Sequence, residues 1–163
     1  MIFVITGTQK FEFNRLLRAM DELLANKEIT DKVFAQTGYS TYIPQNYGYS
    51  QYLPMSEFEK YVSEASLIVC HSGGAAINTA LKAGKIVVTV PRLQKFNEHV
   101  DDHQLEIAKK YGDSNYLEIC YDIEKLSEHI EIAKNKEFAK LENSKSKIVD
   151  IIDKWLEEGE RMC

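Results

Sequence analysis

Short apolar runs alternate along the chain with longer segments whose apolar residues recur every three to four positions. A continuous apolar run indicates a strand buried on both faces, and the longer spacing indicates a helix with one face toward a core. The pattern predicts strands at 1–6, 32–36, 49–53, 67–70, 86–90 and 115–120. It predicts helices at 13–24, 56–65, 75–83, 100–111, 123–133 and 137–158.

Two local signals refine the helix boundaries. Ser56 followed by Glu59 has the spacing of a capping box, which would open the helix at 56–65. Gly112 follows the apolar stripe of 100–111 and is expected to end that helix.

Strands that alternate with helices predict a parallel sheet covered by helices on both faces. We therefore expect an α/β fold, a single Rossmann-like, doubly wound domain over residues 1–163. In such sheets ligands bind beyond the carboxyl ends of the strands. The last helix, at about 137–158, either packs on this domain or docks to a partner, and a tyrosine-rich loop at 39–52 is a second candidate for docking.

Composition narrows the class of protein. A content of 44% hydrophobic and 28% charged residues in 163 positions is typical of one globular domain. The net charge of −5 argues against a nucleic-acid partner, because an acidic protein gains nothing from counterion release. Three cysteines without a Cys-x-x-Cys spacing favour the reducing cytoplasm. No apolar run approaches the ~20 residues of a spanning helix, and we expect no signal peptide.

Polar turns that contain glycine follow two of the predicted strands. Gly7 and Thr8 come after the first strand, and the segment 71–74, His-Ser-Gly-Gly, comes after the fourth and opens a helix. The N–H groups of a helix N-terminus bind anions, and paired glycines let a phosphate approach the backbone. The alternative is a tight turn without a ligand. Neither the P-loop pattern nor the dinucleotide-binding pattern fits these turns.

A third polar segment follows the predicted strand at 86–90. Residues 96–104 read Phe-Asn-Glu-His-Val-Asp-Asp-His-Gln, a mixture of donors and acceptors suited to sugar hydroxyls. Alternatively, Asp101 and Asp102 only charge a helix N-terminus. A zinc site with His99 and His103 lacks a third ligand. Three polar strand ends on one rim of the sheet predict a site for a sugar linked to phosphate.

The segment 66–108 resembles the nucleotide-sugar half of the family-28 glycosyltransferases. The likeness lies in an apolar strand, His-Ser-Gly-Gly-Ala at 71–75, Ala-Gly-Lys at 83–85, Val-Pro-Arg at 90–92 and Glu-His-Val-Asp-Asp-His-Gln at 98–104. With 1–8 and 34–40, the chain is similar to the small catalytic subunits of two-component exopolysaccharide and capsule glycosyltransferases. It is also similar to the catalytic subunits of dolichol-pathway UDP-GlcNAc transferases.

The resemblance implies the C-terminal half of a GT-B glycosyltransferase. Such a subunit binds the UDP-sugar donor and transfers a hexose, with inversion, to a lipid-linked saccharide acceptor. It implies a membrane-associated acceptor-binding subunit as partner, which recruits the cytoplasmic chain to the inner face of the membrane. No cofactor and no metal are expected. The alternative is a non-catalytic nucleotide-sugar-binding or regulatory subunit, and self-association without the partner is left open.

The resemblance also implies which residues bind the donor. The glycine turns lie against the diphosphate, the backbone near Met55 contacts uracil, and the segment from Glu98 holds the sugar hydroxyls. The implied substrate-binding residues are Gly7, Thr8, Met55, His71, Ser72, Gly73, Gly74, Ala75, Glu98, His99, Asp102, His103 and Gln104.

The chain departs from the family pattern at two positions. Thr79, beside Asn78, stands where relatives carry a glutamate for the ribose, and Asn97 stands where a glycine is expected. No catalytic base is assigned, because the base must face the acceptor and is expected on the partner. Within this chain His71 is the best candidate for the base, although contact with phosphate or a structural role suits it better.

Overall fold

Residues 1–141, which a computed structural model describes, are arranged around one parallel sheet. Its strands are β1 (Ile2–Ile5), β2 (Val33–Gln36), β3 (Gly48–Ser50), β4 (Leu67–His71), β5 (Ile86–Val90) and β6 (Glu118–Ile119). Their order is β3-β2-β1-β4-β5-β6, and every neighbouring pair is parallel. The winding direction reverses between β1 and β4. The doubly wound α/β fold is therefore confirmed.

Helices cover both faces of the sheet. They are α1 (Asn14–Ala25), α2 (Met55–Glu64), α3 (Gly74–Lys82), α4 (His103–Asp113) and α5 (Leu126–Asn135), and short 3₁₀ turns lie at Gln94–Phe96 and Ile123–Lys125. One core holds the apolar faces of α1 and α5, and a second core holds those of α2, α3 and α4.

Alternate residues of the central strands supply the two cores. In β1, Ile2 and Val4 face α1 and α5, whereas Phe3 and Ile5 face the other three helices. All four side chains are buried. Because each buried aliphatic or aromatic side chain contributes about 1.5–3 kcal/mol, both faces of the strand must be apolar. This is the physical reason that the strand has no polar alternation.

The capping box predicted for α2 is wrong, and the α-helices predicted from 100 and 123 each begin three residues later, the second at Leu126 after a 3₁₀ turn. Helix α2 begins at Met55 with Pro54 as its N-cap, and no side chain caps it, so Ser56 and Glu59 form no capping box. The carbonyl of Pro54 accepts a hydrogen bond from Phe58 N (2.9 Å), which starts the helix one residue earlier. The helix predicted from residue 100 begins only at His103.

The late start of α4 follows from its preceding loop. Asn97 has a left-handed backbone with φ of 55°, which interrupts any helix. The side chains of Asp101 and Asp102 then accept hydrogen bonds from His103 N (3.0 Å) and Gln94 N (2.8 Å). Side chains that bind nearby backbone amides in this way favour a turn over a helix.

The far end of α4 also differs from the prediction. The helix continues through Gly112 to Asp113. A Cβ atom at position 112 would overlap the side chain of Ile119, so this glycine provides space for strand β6 rather than a helix end. Strand β6 is shorter than predicted, because Asn115 is left-handed and Tyr116 N is bonded to Tyr111 O.

The predicted helix at 137–158 lies mostly outside the described residues. Residues 137–141 are irregular, and Ala139 N donates to Asn115 O at 2.8 Å. Within the described part of the chain, no helix has the length and apolar character needed to cross a membrane.

Asp21 anchors the tyrosine-rich loop that precedes β3. Its side chain is 3% exposed and accepts hydrogen bonds from Tyr42 Oη (2.7 Å), Gln45 N (2.8 Å) and Asn46 N (2.7 Å). Burial alone would raise the pKa of Asp21, but the hydrogen bonds from Gln45, Tyr42 and Asn46 together hold the pKa below its ordinary value of 3.8. The ionised carboxylate therefore stabilises the fold.

We expect Asp21→Asn to lower the free energy of unfolding at pH 7 by about 2 kcal/mol, because an amide nitrogen replaces one acceptor oxygen among buried donors. The folded-state pKa is depressed, so the carboxylate's contribution is present above about pH 3.8 and is lost as pH falls through the lower folded value. Urea unfolding of both proteins between pH 7 and pH 3 measures this difference. The difference should shrink in acid.

Asp113→Asn is the matched control, since Asp113 is exposed at the end of α4 and pairs with Lys109 of that helix. We expect little change in stability from it. If Asp21→Asn lowers the free energy of unfolding by the same amount at every pH, the shape of the side chain matters and its charge does not.

Candidate functional site

The turns after β1 and β4 meet at the carboxyl edge of the sheet, at the point where the winding direction reverses. Gly7 has φ of 92°, and a Cβ built on it would lie 2.8 Å from Cε1 of His71. A Cβ built on Gly73 would overlap Nε2 of the same ring. The imidazole of His71 therefore fills the space that two side chains would otherwise occupy, and it separates the two glycine turns.

His71 is held as a neutral side chain. Burial lowers its pKa to about 4, the nearby positive charge of Arg92 adds to the lowering, and a hydrogen bond to the Ile5 carbonyl opposes it. The ring Nδ1 lies 3.4 Å from Ile5 O. Since a carbonyl only accepts, Nδ1 carries the proton and Nε2 is the unprotonated nitrogen that faces Gly73.

The N-terminus of α3 is open. Gly73 is its N-cap, no side chain caps it, and no atom lies within 4 Å of a Cβ built on Gly74. Ala75 is exposed in the first turn. Free backbone N–H groups with positive helix-dipole potential and no covering side chain can bind an anion.

Ser72 contributes differently from its neighbours in this turn. Its side chain is buried, and its Oγ lies 2.9 Å from Oγ1 of Thr89. Because Thr89 Oγ1 donates to the Cys70 carbonyl at 3.2 Å, Ser72 is the donor to Thr89. The hydroxyl of Ser72 thus connects the turn after β4 to β5.

The segment between β5 and α4 is held by its own carboxylates. Glu98, 4% exposed, accepts from Arg15 Nε (2.8 Å), Arg15 Nη2 (2.8 Å) and Leu93 N (3.1 Å). This bidentate ion pair fixes the segment to α1. His99 Nδ1 lies 3.0 Å from Asp101 Oδ1, and the His99 ring packs on Phe11 with centroids 5.1 Å apart.

Gln104 has a defined orientation. Its side chain is buried, and its Oε1 accepts from Arg92 N at 3.0 Å. The amide Nε2 is thereby left as a donor. His103, the first residue of α4, is half-buried and lies within 3.9 Å of Glu106.

The predicted site residues fall into two groups on one rim. The first group contains the turns of β1 and β4, in which Gly7, His71 and Gly73 are in direct contact. The second contains the segment from Glu98 to Gln104. Phe11, which packs on His99, connects the second group to the loop that carries Gly7 and Thr8. Met55 stands apart at the start of α2 and is 72% exposed.

The two departures from the family pattern have structural counterparts. Asn97 adopts the left-handed conformation that glycine favours and asparagine tolerates, so the loop is kept. Thr79 is exposed on α3, while Asn78 Oδ1 accepts a hydrogen bond from Tyr111 Oη at 2.9 Å. Asn78 is therefore engaged within the fold.

Sequence reasoning included Arg92 in the Val-Pro-Arg motif but assigned it no role. The residue is 1% exposed, and its Nη2 donates to the carbonyls of Thr6 and Phe11 (3.1 Å to Phe11). The available signal was its position just beyond Pro91 at the end of a buried strand, where a charged side chain must either reach solvent or be enclosed. Arg15, the partner of Glu98, was missed because it lies beside the apolar stripe of α1 and reads as a surface residue.

Metal binding has no candidate in the described residues. Within 1–141, no group of three or more His, Cys, Asp or Glu side chains is close enough together to hold a metal ion. The expectation that the protein uses no metal stays a prediction.

Residues 1–155 match the family model described as glycosyltransferase family 28 C-terminal domain. The chain belongs to this family. It is 26% identical over 95 residues to UDP-N-acetylglucosamine transferase subunit ALG13 of Candida albicans, a match that covers 58% of this chain and 31% of the relative. The crystal structure of Acinetobacter baumannii MurG superposes with a TM-score of 0.55 and 25% identity, over 94% of this chain and 49% of MurG.

This family-28 chain spans about a third of the first relative and half of the second. Its Rossmann-like sheet and its match to one half of MurG confirm the predicted fold class, the C-terminal half of a GT-B glycosyltransferase. The roles of individual residues in donor binding stay predictions.

We expect Gly73→Ala to destabilise the protein by about 1–3 kcal/mol, because the new methyl group overlaps the His71 ring. Gly74→Ala is the matched control. Its methyl group meets open space in the first turn of a helix, so stability should stay the same or rise by up to about 1 kcal/mol. Thermal unfolding of both variants makes the comparison.

A smaller side chain at position 71 tests the cause. In a His71→Ala background, Gly73→Ala should cost much less, since the overlapping ring is absent. An equal cost in both backgrounds would refute the packing of the imidazole between the two glycines.

Proposed function

We propose that this chain is the donor-binding, catalytic subunit of a two-protein inverting glycosyltransferase. It binds a UDP-sugar, and the hexose passes to a lipid-linked saccharide acceptor in polysaccharide biosynthesis. The observation that carries the proposal is the open, uncapped N-terminus of α3 beside Gly7 and His71, on the same rim as the segment from Glu98 to Gln104. Membership of family 28 supports it.

The open helix N-terminus would hold the diphosphate. The N–H groups of Gly74 and Ala75 and the dipole of α3 stabilise the negative charge that grows on UDP as the bond to the sugar breaks. Gly74 leaves space for a phosphate to reach these groups. Gly7 and Thr8 line the other side of the cradle, and the backbone beside the exposed Met55 is the proposed contact for uracil.

The segment before α4 would hold the hexose. Gln104 Nε2 is a donor because its Oε1 is bonded to Arg92 N. His103 is beside it in the first turn of α4 and can donate or accept. The carboxylates of Glu98 and Asp102 bind backbone amides of the loop, so we assign them mainly to shaping it.

The proposed reaction needs a general base for the acceptor hydroxyl. The pKa of His71 near 4 makes it a weak base, and its Nε2 packs against Gly73. We therefore place the base on the acceptor-binding subunit. The proposed donor site uses no metal ion.

The partner would be a membrane-associated protein that carries the acceptor and recruits this chain to the cytoplasmic face of the membrane. The Candida albicans relative is named as a transferase subunit, which supports a multi-subunit enzyme. Exposed apolar side chains between β2 and the start of α2 are candidates for the contact. They are Tyr39, Ile43, Tyr49, Tyr52 and Met55. Residues 142–158 of the predicted C-terminal helix are a second candidate and lie outside the described structure.

UDP binding is the first test. We expect UDP to raise the melting temperature of the wild-type chain, and comparison of UDP-galactose, UDP-glucose and UDP-GlcNAc should rank the donors. Gly74→Ala should bind UDP roughly tenfold more weakly, because its methyl group blocks hydrogen bonds worth about 1.5–3 kcal/mol each. Lys60→Ala, on the exposed face of α2, is the control. No stabilisation by any uridine nucleotide would contradict the proposal.

Sugar transfer is the second test and separates a catalytic subunit from a regulatory one. Membranes of the source cells supply partner and acceptor, and transfer from radiolabelled UDP-hexose is measured with added protein. His103→Ala and Gln104→Ala should each reduce transfer roughly tenfold or more, through lost bonds to sugar hydroxyls. Lys109→Ala, exposed on the same helix and paired with Asp113, should not.

The comparison is valid only if the variant proteins bind to the membranes as well as the wild-type protein does. Full transfer by His103→Ala and Gln104→Ala would indicate that the donor is bound elsewhere, and would favour the non-catalytic alternative.

A further inference from the structure

Arg92 is a buried cation that no carboxylate of the described residues contacts directly. It follows Pro91, one residue beyond the end of β5, and is 1% exposed. Its Nε and Nη1 atoms are buried and have no hydrogen-bond partner. An enclosed charge with incomplete hydrogen bonding destabilises a fold unless it serves another purpose. Such exceptions are concentrated at functional sites.

Arg92 contacts the loops at the strand ends that form the rim. Its Nη2 donates to the carbonyls of Thr6 and Phe11, which bracket the loop that contains Gly7 and Thr8. Its backbone N–H donates to Gln104 Oε1 at 3.0 Å. Its guanidinium also lies over the ring of Phe13, 5.5 Å from the centroid. One residue thus connects the loop after β1 with the segment before α4.

Arg92 also influences the turn after β4. Its charge is one cause of the lowered pKa of His71, whose ring lies against Gly73 at the N-terminus of α3. Burial lowers the pKa of Arg92 itself to about 10, the negative charge of Glu98 opposes this lowering, and the residue is charged at pH 7. The other arginine of this region, Arg15, is neutralised by Glu98 at 2.8 Å. Arg15 and Arg92 therefore share one carboxylate, Glu98, which leaves a net positive charge near the His71 ring.

We propose that Arg92 is the positioning residue of the donor site: it holds the Gly7 loop in place, and its enclosed charge attracts the diphosphate to the N-terminus of α3 without touching it. This inference rests on the proposed function. A cation enclosed in a medium of low dielectric acts over longer distances than an exposed one, because solvent does not screen it. The unpaired state of the guanidinium is then useful, since a carboxylate partner would cancel the attraction.

The test compares affinities for UDP and for uridine, which lacks the phosphates, by calorimetry. We expect Arg92→Met to lower UDP affinity roughly tenfold and to leave uridine affinity unchanged. Arg92→Lys keeps a charge and should retain most of the preference for UDP. Arg18→Met removes an exposed arginine from α1 and is the matched control. Unchanged UDP affinity in Arg92→Met, or equal losses for UDP and uridine, would overturn the proposal.

A second measurement needs no ligand. The pKa of His71, followed by NMR, should rise in Arg92→Met, because the repulsion between two positive charges is removed. His99 is the other titratable group that lowers the pKa of His71, and its own titration is followed in parallel. Arg92→Lys should leave the pKa of His71 nearer to the wild-type value. An unchanged pKa of His71 in Arg92→Met would contradict the inference that the charge of Arg92 acts on the turn that contains His71.

The outcomes separate this inference from the proposed function. If the wild-type chain binds no uridine nucleotide, the proposed function and this inference both fail. If it binds UDP and Arg92→Met keeps the wild-type ratio of UDP to uridine affinity, only this inference fails. If Arg92→Met does not fold, Arg92→Lys provides the test. A lysine keeps the charge but cannot bind the carbonyls of Thr6 and Phe11 together. A lower melting temperature with a retained preference for UDP over uridine then supports the proposal. A lost preference overturns it.

Discussion

The contact between one imidazole and two glycines determines the geometry of the rim. The ring of His71 fits only because neither Gly7 nor Gly73 has a Cβ atom. The two turns belong to β1 and β4, which are neighbours in the sheet but far apart in the chain. Because the ring occupies the space between them, the spacing of the turns is set by the width of an imidazole. The remaining features of the site are arranged around this fixed pair of turns.

Charged side chains hold the surrounding loops by binding backbone groups. Glu98 binds Leu93 N, Asp21 binds Gln45 N and Asn46 N, and Arg92 binds two carbonyls. Asp21 and Arg92 each bind two or more main-chain groups, and Glu98 binds one main-chain amide and the Arg15 side chain, so these side chains hold irregular segments in place. Such loops can hold donors and acceptors at set distances, which recognition of a sugar hydroxyl requires.

The fold could be predicted from the sequence because its strands are apolar on both faces. Continuous apolar runs, such as Ile2 to Ile5 and Leu67 to Cys70, predict a parallel sheet that helices cover on both faces. The glycine turns come directly after these strands. The helix boundaries were less predictable. The start of α4 depends on which amides Asp101 and Asp102 bind, and its end depends on the contact of Gly112 with a residue of β6. The roles of Arg92 and Arg15 were missed for a similar reason, since only tertiary contacts show that a charged residue is enclosed.

The two edges of the sheet limit how this chain can associate. Strand β3 has three residues and strand β6 has two, so each edge offers few unpaired main-chain groups to an incoming strand. Assembly by β-augmentation needs a longer row of such groups. At the edges of this sheet, a partner protein would therefore be bound through side-chain contacts. Its specificity would depend on complementary shape and chemistry, and not on main-chain hydrogen bonds between strands.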